Sequence, residues 1–344
     1  MRISCITRRL LAAGALLLAF ASLTSCDNAI YDDEGDCSVT YRVRFRYDRN
    51  MKYADAFKAE VNAVSLYIFD KQGSLVWSGT ESGPAIGAED YAMTVDVAPG
   101  TYDMVAWCHG IKERASGFTL RGGDTPASKS DLECSLVRKT DSGNAYTDTD
   151  LHGLYHGAKQ GVVLADSYGT HEVTVDLTKN TNVVRVVLQH IDGSPLDKDL
   201  FDFSITSANG LMDHNNRLMA DETVTYKSWA KTSGTAQMPD SEGRAITSVS
   251  ALLAEMTTAR LTTGTPATLT VTRRGAGHPI IQIPLTDFVL MIKGEYNRIM
   301  DDQEYLDRQD EYNLTFFLDE NNDWHMTSGI IINSWRIVLQ DTGM

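Results

Sequence analysis

One stretch near the start of the chain constrains the fold more than any bulk property. Val39, Tyr41, Val43, Phe45 and Tyr47 are apolar or aromatic, and Thr40, Arg42, Arg44 and Arg46 between them are polar. A two-residue period sends alternate side chains to opposite faces, so the segment is a strand with one buried face. The signal recurs along the chain. Val64 to Phe69 and Leu75-Val76-Trp77 flank Asp70-Lys71-Gln72-Gly73 and read as a hairpin. Met93, Val95 and Val97 alternate, Ala98-Pro99-Gly100-Thr101 turns the chain, and Tyr102, Met104 and Ala106 return. Leu132 to Val137 and His171 to Leu177 are further strands. In the second half Val183 to Leu188 reads as a fully buried strand. Phe201, Phe203 and Ile205 alternate, and Leu269 to Val271 and Ile280 to Ile283 follow. Tyr312, Leu314, Phe316 and Leu318 alternate, Asp319 to Asp323 turns, Trp324 and Met326 begin the return, and Trp335, Ile337 and Leu339 form a last strand. Helical spacing is confined to Ala54–Val61 and to Leu285, Phe288, Val289 and Ile292. Many short strands with regular turn signals and no βαβ spacing predict an all-β protein built of sandwiches.

The first 26 residues constrain the compartment. Arg2, Arg8 and Arg9 precede an apolar run from Leu10 to Phe20, too short for a membrane span, which takes roughly 20 apolar residues. Residues 1–25 read as a signal peptide. The cleavage region is Leu23-Thr24-Ser25-Cys26, and a Leu, two small residues and a Cys resemble the lipobox of bacterial lipoproteins. That resemblance implies cleavage between Ser25 and Cys26 and lipid on the Cys26 thiol. Two or three acyl chains anchor stably where one binds reversibly. Residues 26–36 then form an acidic tether. Its Asp32-Asp33-Glu34 cluster resembles a surface-export signal of some Gram-negative anaerobes. Outer-membrane attachment through lipid, with the protein on the cell surface, is the expectation.

The remaining 319 residues exceed what a single core usually serves, so two domains are expected. Lys179-Asn180-Thr181-Asn182 is polar and turn-prone, which divides the chain into domains 37–178 and 179–344. The formal charge of −15 becomes −18 when the three signal-peptide arginines leave, and so acidic a chain repels nucleic-acid phosphates. No nucleic-acid partner is expected.

Catalytic spacings are scarce. No GxSxG, P-loop, GxGxxG or HExxH occurs. His152 and His156 stand four apart, but Gly153 between them and Gly157 after them argue against a helix, and they read as turn histidines. Asp319-Glu320-Asn321-Asn322-Asp323 starts like a calcium loop, yet Trp324 replaces the glycine such a loop needs, and a hairpin turn is the better reading. Asp301, Asp302, Glu304, Asp307, Asp310 and Glu311 offer paired carboxylates for glycosidase chemistry, but a charge run usually marks a solvated face. The tryptophans stand singly, mostly in strand patterns suited to core packing. Neither an enzyme nor a metal or cofactor site is expected. Cys37, Cys108 and Cys134 survive processing, and export permits one bridge among them, its pairing open.

Val95 to Trp107 (VDVAPGTYDMVAW) looks like a strand–turn–strand piece of a transthyretin-type sandwich. Further segments are similar to the FimB/Mfa-type fimbrial subunit family. They are Cys37 with the alternating strand; Tyr47 to Met51 with Ala54 to Phe57; Val64 to Asp70; Pro99 to Tyr102 with Val105 to Trp107; Leu177 to Gln189; Tyr305 to Asn313; and Ile332 to Trp335. In order behind a lipobox, they cover most of residues 37–340. Family members typically carry Gly where Cys108 stands. The resemblance implies two transthyretin-like β-sandwich domains in tandem. It also implies an anchor or accessory subunit at the base of a type V pilus, partnered by stalk or accessory subunits through strand addition. Stalk relatives lose lipid and first strand to a cut after an Arg. Arg42, Arg44, Arg46 and Arg49 make a cut conceivable here, but an anchor must keep its lipid, so none is expected. The arginines then read as the solvent face of an edge strand, which blocks unwanted pairing. A surface glycan- or ligand-binding lipoprotein is the alternative.

Overall fold

The computed structural model describes residues 38–110, 117–239, 246–296, 299–326 and 329–337. The signal peptide, Ser25, Cys26, the acidic tether, Cys37 and Leu339 lie outside them.

In the first half the elements are β1 (Val39–Arg46), α1 (Phe57–Glu60), β2 (Val61–Phe69), β3 (Leu75–Ser82), β4 (Met93–Val95), β5 (Gly100–Gly110), β6 (Phe118–Arg121), β7 (Glu133–Leu136), β8 (Lys139–Asp141), β9 (Asn144–Thr147), β10 (Leu154–Leu164), β11 (Gly169–Asp176) and β12 (Thr178–Lys179). The second half contains β13 (Thr181–His190), β14 (Phe201–Ser207), β15 (Leu211–Met212), β16 (Val224–Lys227), β17 (Ala230–Pro239), β18 (Ile246–Ala259), β19 (Ala267–Arg273), β20 (Pro279–Pro284), α2 (Leu285–Met291), α3 (Lys293–Tyr296), α4 (Asp302–Arg308), β21 (Glu311–Leu318), β22 (Ile330–Ile332) and β23 (Trp335–Ile337).

The first sandwich stacks the sheet β11-β1-β4 on the sheet β12-β10-β5-β2-β3. Alternation dictates which atoms meet. Tyr41, Val43 and Phe45 of β1 face Leu66 and Ile68 of β2 and Met104, Ala106 and Cys108 of β5 in one buried cluster. The intervening residues of β2 and β5, Tyr67, Phe69, Val105 and Trp107, face a second, larger core. Both faces of this sheet are therefore covered, which explains why Val64 to Phe69 is continuously apolar instead of alternating.

β1 is not the edge strand that its arginines suggested. It pairs in parallel with β11 over its whole length, from Val39 with Gly169 to Arg46 with Asp176. On its other side Tyr41 to Val43 pair antiparallel with β4. Its arginines lie on the solvent face, Arg46 exposed and Arg42 and Arg44 half-buried, and they reach across to carboxylates on β11. A strand's polar face looks the same in sequence at an edge or in the interior.

The second sandwich stacks β17-β18-β13-β21-β22-β23 on β20-β19-β14-β16-β9-β8. β8 and β9 come from the first half of the chain, and β9 runs parallel to β16, Val224 opposite Ala145. β6 and β7 join β15 in a third sheet. Residues 118–147 thus leave the first half and complete the second. Phe118, Leu132, Cys134, Leu136 and Ala145 enter the same core as Val184, Leu188, Phe201 and Phe316. Parallel pairs such as β13 with β21 join strands far apart in the chain, with β14 to β20 and α2 to α4 between them. The return after Asp319–Asp323 is later than expected. Trp324 makes a single bridge to Leu318 and packs edge-on against Phe316, and the strand that pairs with β21 is β22.

Candidate functional site

The chain passes between the sandwiches at Lys179–Thr181, and three segments distant in sequence converge there. The first is the turn after β1. Asp55 Oδ1 accepts hydrogen bonds from the Tyr47 and Phe57 amides, and Asn50 Nδ2 donates to the Tyr47 and Ala54 carbonyls. These bonds close the turn upon itself and present Asp48, Arg49 and Tyr53 outward. The second segment is β12 with Asn180, whose buried amide pairs reciprocally with that of Asn216. The third is α4, capped by Asp301, whose carboxylate accepts from the Glu304 amide at 2.7 Å.

Asp307 of α4 is 3% exposed. Arg260 grips it with Nε 2.8 Å from Oδ1 and Nη2 2.9 Å from Oδ2. Gln303 Nε2 donates to Oδ1 at 2.8 Å, and Arg49 Nη2 lies 3.2 Å from Oδ2. One buried carboxylate is thereby shared by an arginine from each half. Arg308, held by Glu304 at 2.8 Å, donates to the Asp48 and Asn50 carbonyls and stacks over the Tyr53 ring at 4.4 Å. Nearby, Lys179 lies 3.0 Å from Glu60 and 2.5 Å from Asp310. Burial pulls the Lys179 pKa down, but the two carboxylates outweigh it and leave it raised. Tyr155 donates to Glu60 at 2.7 Å, and burial first, then Glu60, pushes its hydroxyl up.

A cleft of about 600 Å³ opens over this cluster, lined by Asp48, Arg49, His156, Asn216, Arg260 and Asp307 among others. Its guanidinium groups are already matched. Arg46 meets Asp176 and Asp48, and Arg308 meets Glu304. The arrangement is a clamp between the sandwiches, not a cradle of spare positive charge.

His156 corrects another expectation. It is a buried strand residue of β10, not a turn histidine, packed edge-on against Trp107 at 4.6 Å with Nε2 3.0 Å from the His214 carbonyl. Burial lowers its pKa to about 4, so it is neutral at pH 7. Of the 301–311 carboxylates, Asp301, Asp302 and Glu311 are exposed as a solvated face would be, whereas Asp307 is buried, and each has a partner. Asp301 caps α4, Asp302 pairs with Lys293, Glu304 with Arg308, Asp307 with Arg260, Asp310 with Lys179 and Glu311 with Arg185. The Asp319–Asp323 turn is closed by its own aspartate, whose Oδ1 accepts from the Asn321 and Asp323 amides. Cys108 and Cys134 are buried free thiols facing different cores, so they are not bonded to each other; Cys37 lies outside the described residues.

The junction is assembled from Tyr47–Phe57, Leu177–Asn182 and Tyr305–Asn313, three of the segments that carry the family resemblance. The sequence model of the family described as fimbrillin-A associated anchor proteins Mfa1 and Mfa2 matches residues 33–341. The chain belongs to this anchor-protein family. Over 292 residues it is 25% identical to the minor fimbrium anchoring subunit Mfa2 of Porphyromonas gingivalis, covering 83% of this chain and 82% of that protein. A crystal structure of a candidate adhesin from Bacteroides thetaiotaomicron is 36% identical and superposes with a TM-score of 0.75 over 90% of this chain and all of that one. The solved structure of the fimbrial anchor protein Mfa2 from Porphyromonas gingivalis shares the fold, with a TM-score of 0.61 and 19% identity over 88% of this chain and all of that one. In this Mfa2-family chain the resemblance segments were legible, but their convergence was not. Neither Arg260 nor the burial of Asp307 carried a local signal.

Proposed function

We propose that this protein is the lipid-anchored subunit that fixes a type V pilus to the outer membrane, keeping its lipid on Cys26 and docking a stalk subunit by strand addition. Membership of the anchor family makes it a fimbrial accessory protein. The observation that carries the finer reading is the position of β1. The described chain begins twelve residues beyond Cys26 and enters β1 at once. β1 is hydrogen-bonded on both sides and buries Tyr41, Val43 and Phe45. Its solvent face is tied to β11 by Arg44 to Glu172 at 2.9 Å and Arg46 to Asp176 at 2.8 Å. The hydrogen bond from Arg44 holds the Glu172 carboxyl below its usual range.

Stripping β1 after a cut at Arg46 would expose three buried side chains worth roughly 1.5–3 kcal/mol each. The sum of about 5–9 kcal/mol rivals the whole stability of a typical domain. Retention of β1, and with it of the lipid, is the favoured state. Intact-mass analysis of the protein purified from outer membranes with its fimbriae tests this. Residues 26–344 plus acyl chains, together with fibres, is the expected result. A lipid-free chain starting beyond Arg46 would make it a polymerising stalk subunit instead.

A further inference from the structure

If β1 stays in place, the groove it fills is closed to an incoming strand, and a partner that docks by strand addition must use an outer edge. Most edges are unsuitable. β4, β6, β8, β12, β15 and β23 have two to four residues. β20 begins and ends in proline, which cannot donate to a ladder. Lys159 Nζ occupies the Thr174 carbonyl of β11 at 3.0 Å. β3 is flanked by the 124–128 loop, through Ser78 to the Asp124 carbonyl and a bridge from Ser74 to Ser128.

β17 differs. It is the outermost strand of its sheet and pairs with β18 over ten residues, Ala230 opposite Glu255 to Pro239 opposite Ile246. β13 pairs with β18 only from Ala259 to Leu252, so the β17–β18 hairpin continues six residues, Ile246 to Ala251, past the last β13 pair. Thr232 to Ala236 are exposed and uncharged, and contain no proline. Among the described residues only β18 hydrogen-bonds to their backbone. Natural edges are normally blunted by charge, proline, bulges or brevity; here Lys231 and Pro239 stand only at the two ends of the strand and leave the stretch between them unblunted.

We propose that the outer edge of β17 is the docking strand for a different fimbrial subunit, which adds an extended segment beside Thr232–Ala236; this rests on the anchor reading above. The chemistry selects the occupant. A row of unpaired backbone N–H and C=O groups is satisfied repeatedly only by another extended backbone. Thr232, Gly234 and Ala236 on one face and Ser233 and Thr235 on the other are small, so an added strand meets little steric relief. A second copy of this chain fits poorly, because each carries −15, or −18 once the signal-peptide arginines leave. The segment that pairs here is therefore neutral or basic.

The test is amide hydrogen exchange of the full chain, alone and with fimbriae detached from cells that lack this protein. Binding with at least tenfold slower exchange of alternate amides within Thr232–Ala236 is expected. Binding without protection there overturns the β17 assignment and leaves the anchor reading standing; no binding overturns both. Ser233→Pro and Gly234→Pro give a second readout. Adjacent N–H groups point to opposite sides of a strand, so one variant cuts the β18 ladder and the other removes only an outward donor. The variant that keeps the wild-type melting temperature should bind fimbriae at least tenfold more weakly. Unchanged binding by that variant refutes the proposal.

Discussion

Replacing Asp307 by alanine tests the junction most sharply. The Asp307 side chain is 2% exposed and that of Arg260 13%, and the carboxylate takes contacts from Arg260, Gln303 and Arg49. Salt bridges on open surface contribute about 0–1 kcal/mol, so an exposed pair would barely register. Here, removing the acid strands a guanidinium with little access to water, a loss that typically costs about 3–5 kcal/mol. At roughly 2–4 °C of melting temperature per kcal/mol for domains of this size, the shift is about 6–20 °C downward. Because the surviving arginine causes the damage, Asp307→Leu combined with Arg260→Met should cost far less than the sum of the single changes. Urea unfolding followed by tryptophan fluorescence and by circular dichroism gives the free energies, and coincident transitions validate the two-state treatment. A single-variant loss below about 1 kcal/mol, or a double variant as unstable as the sum of the singles, would refute the assignment of Asp307 as the clamp's centre.

Acid should destabilise the protein through His156. Its folded pKa of about 4 lies below the ordinary 6.5, so between those values the unfolded chain holds a proton that the folded chain lacks, and stability falls with pH. From pH 7.5 to 5 the loss is about 2 kcal/mol, readable as the difference between the wild-type urea midpoint trend and that of His156→Gln. Gly157 lies where β10 is crossed by the end of β11, and a Cβ there would sit 2.6 Å from Val175 Cγ1 and 2.7 Å from the Asp176 carbonyl. Gly157→Ala should therefore cost about 1–3 kcal/mol in the same assay. Burial raises the Cys108 and Cys134 thiol pKa values, so iodoacetamide should leave both unmodified in the native protein and label both after unfolding without reductant. Absence of labelling at Cys134 after unfolding would reveal a disulfide to it.

The legible parts of this fold are those whose partners are local or whose period is clean. β1, the hairpin around Asp70–Gly73 and the paired strands β13 and β21 each bury alternate or continuous apolar side chains, a pattern that needs no knowledge of the neighbour. Within residues 118–147 the same method finds Leu132–Val137, which is β7, but misses β6, β8 and β9, because these strands are three or four residues long, and it misses that the partners of β7 and β9, β15 and β16, lie some 80 residues on. The β17–β18 hairpin was silent for another reason. Its exposed residues are Thr, Ser, Gly and Ala, which alternate in direction without alternating in polarity. At the junction, Asp307 hides in a charge run, and only the fold shows that α4 presents it to Arg260 and Arg49.

β1 and the junction are mechanically linked, and that link gives the anchor reading its physical sense. On the proposed anchor reading, a pull entering β1 at Val39 along the strand axis would load the parallel β1–β11 ladder in shear, so that many of its hydrogen bonds would have to fail together. The chain leaving β1 does not run on as a loose connection. Arg49 binds Asp307, and Arg308 holds the Asp48 and Asn50 carbonyls, so the pull passes from β1 into α4 within three residues. From α4 it enters β21, which pairs with β13 at the centre of the second sheet. β18 pairs with β13 in turn and carries β17 at its outer side. First strand, clamp and open edge thus form one continuous path through strand ladders and charge-paired side chains. Weakening the clamp should release the turn after β1 from α4 before either sandwich unfolds, while Tyr67, Phe69, Val105 and Trp107 keep the sandwiches joined through their shared core. In a single-molecule stretch from Cys26 to a fibre docked at β17, Asp307→Ala should therefore add an early, low-force extension that the wild-type protein lacks.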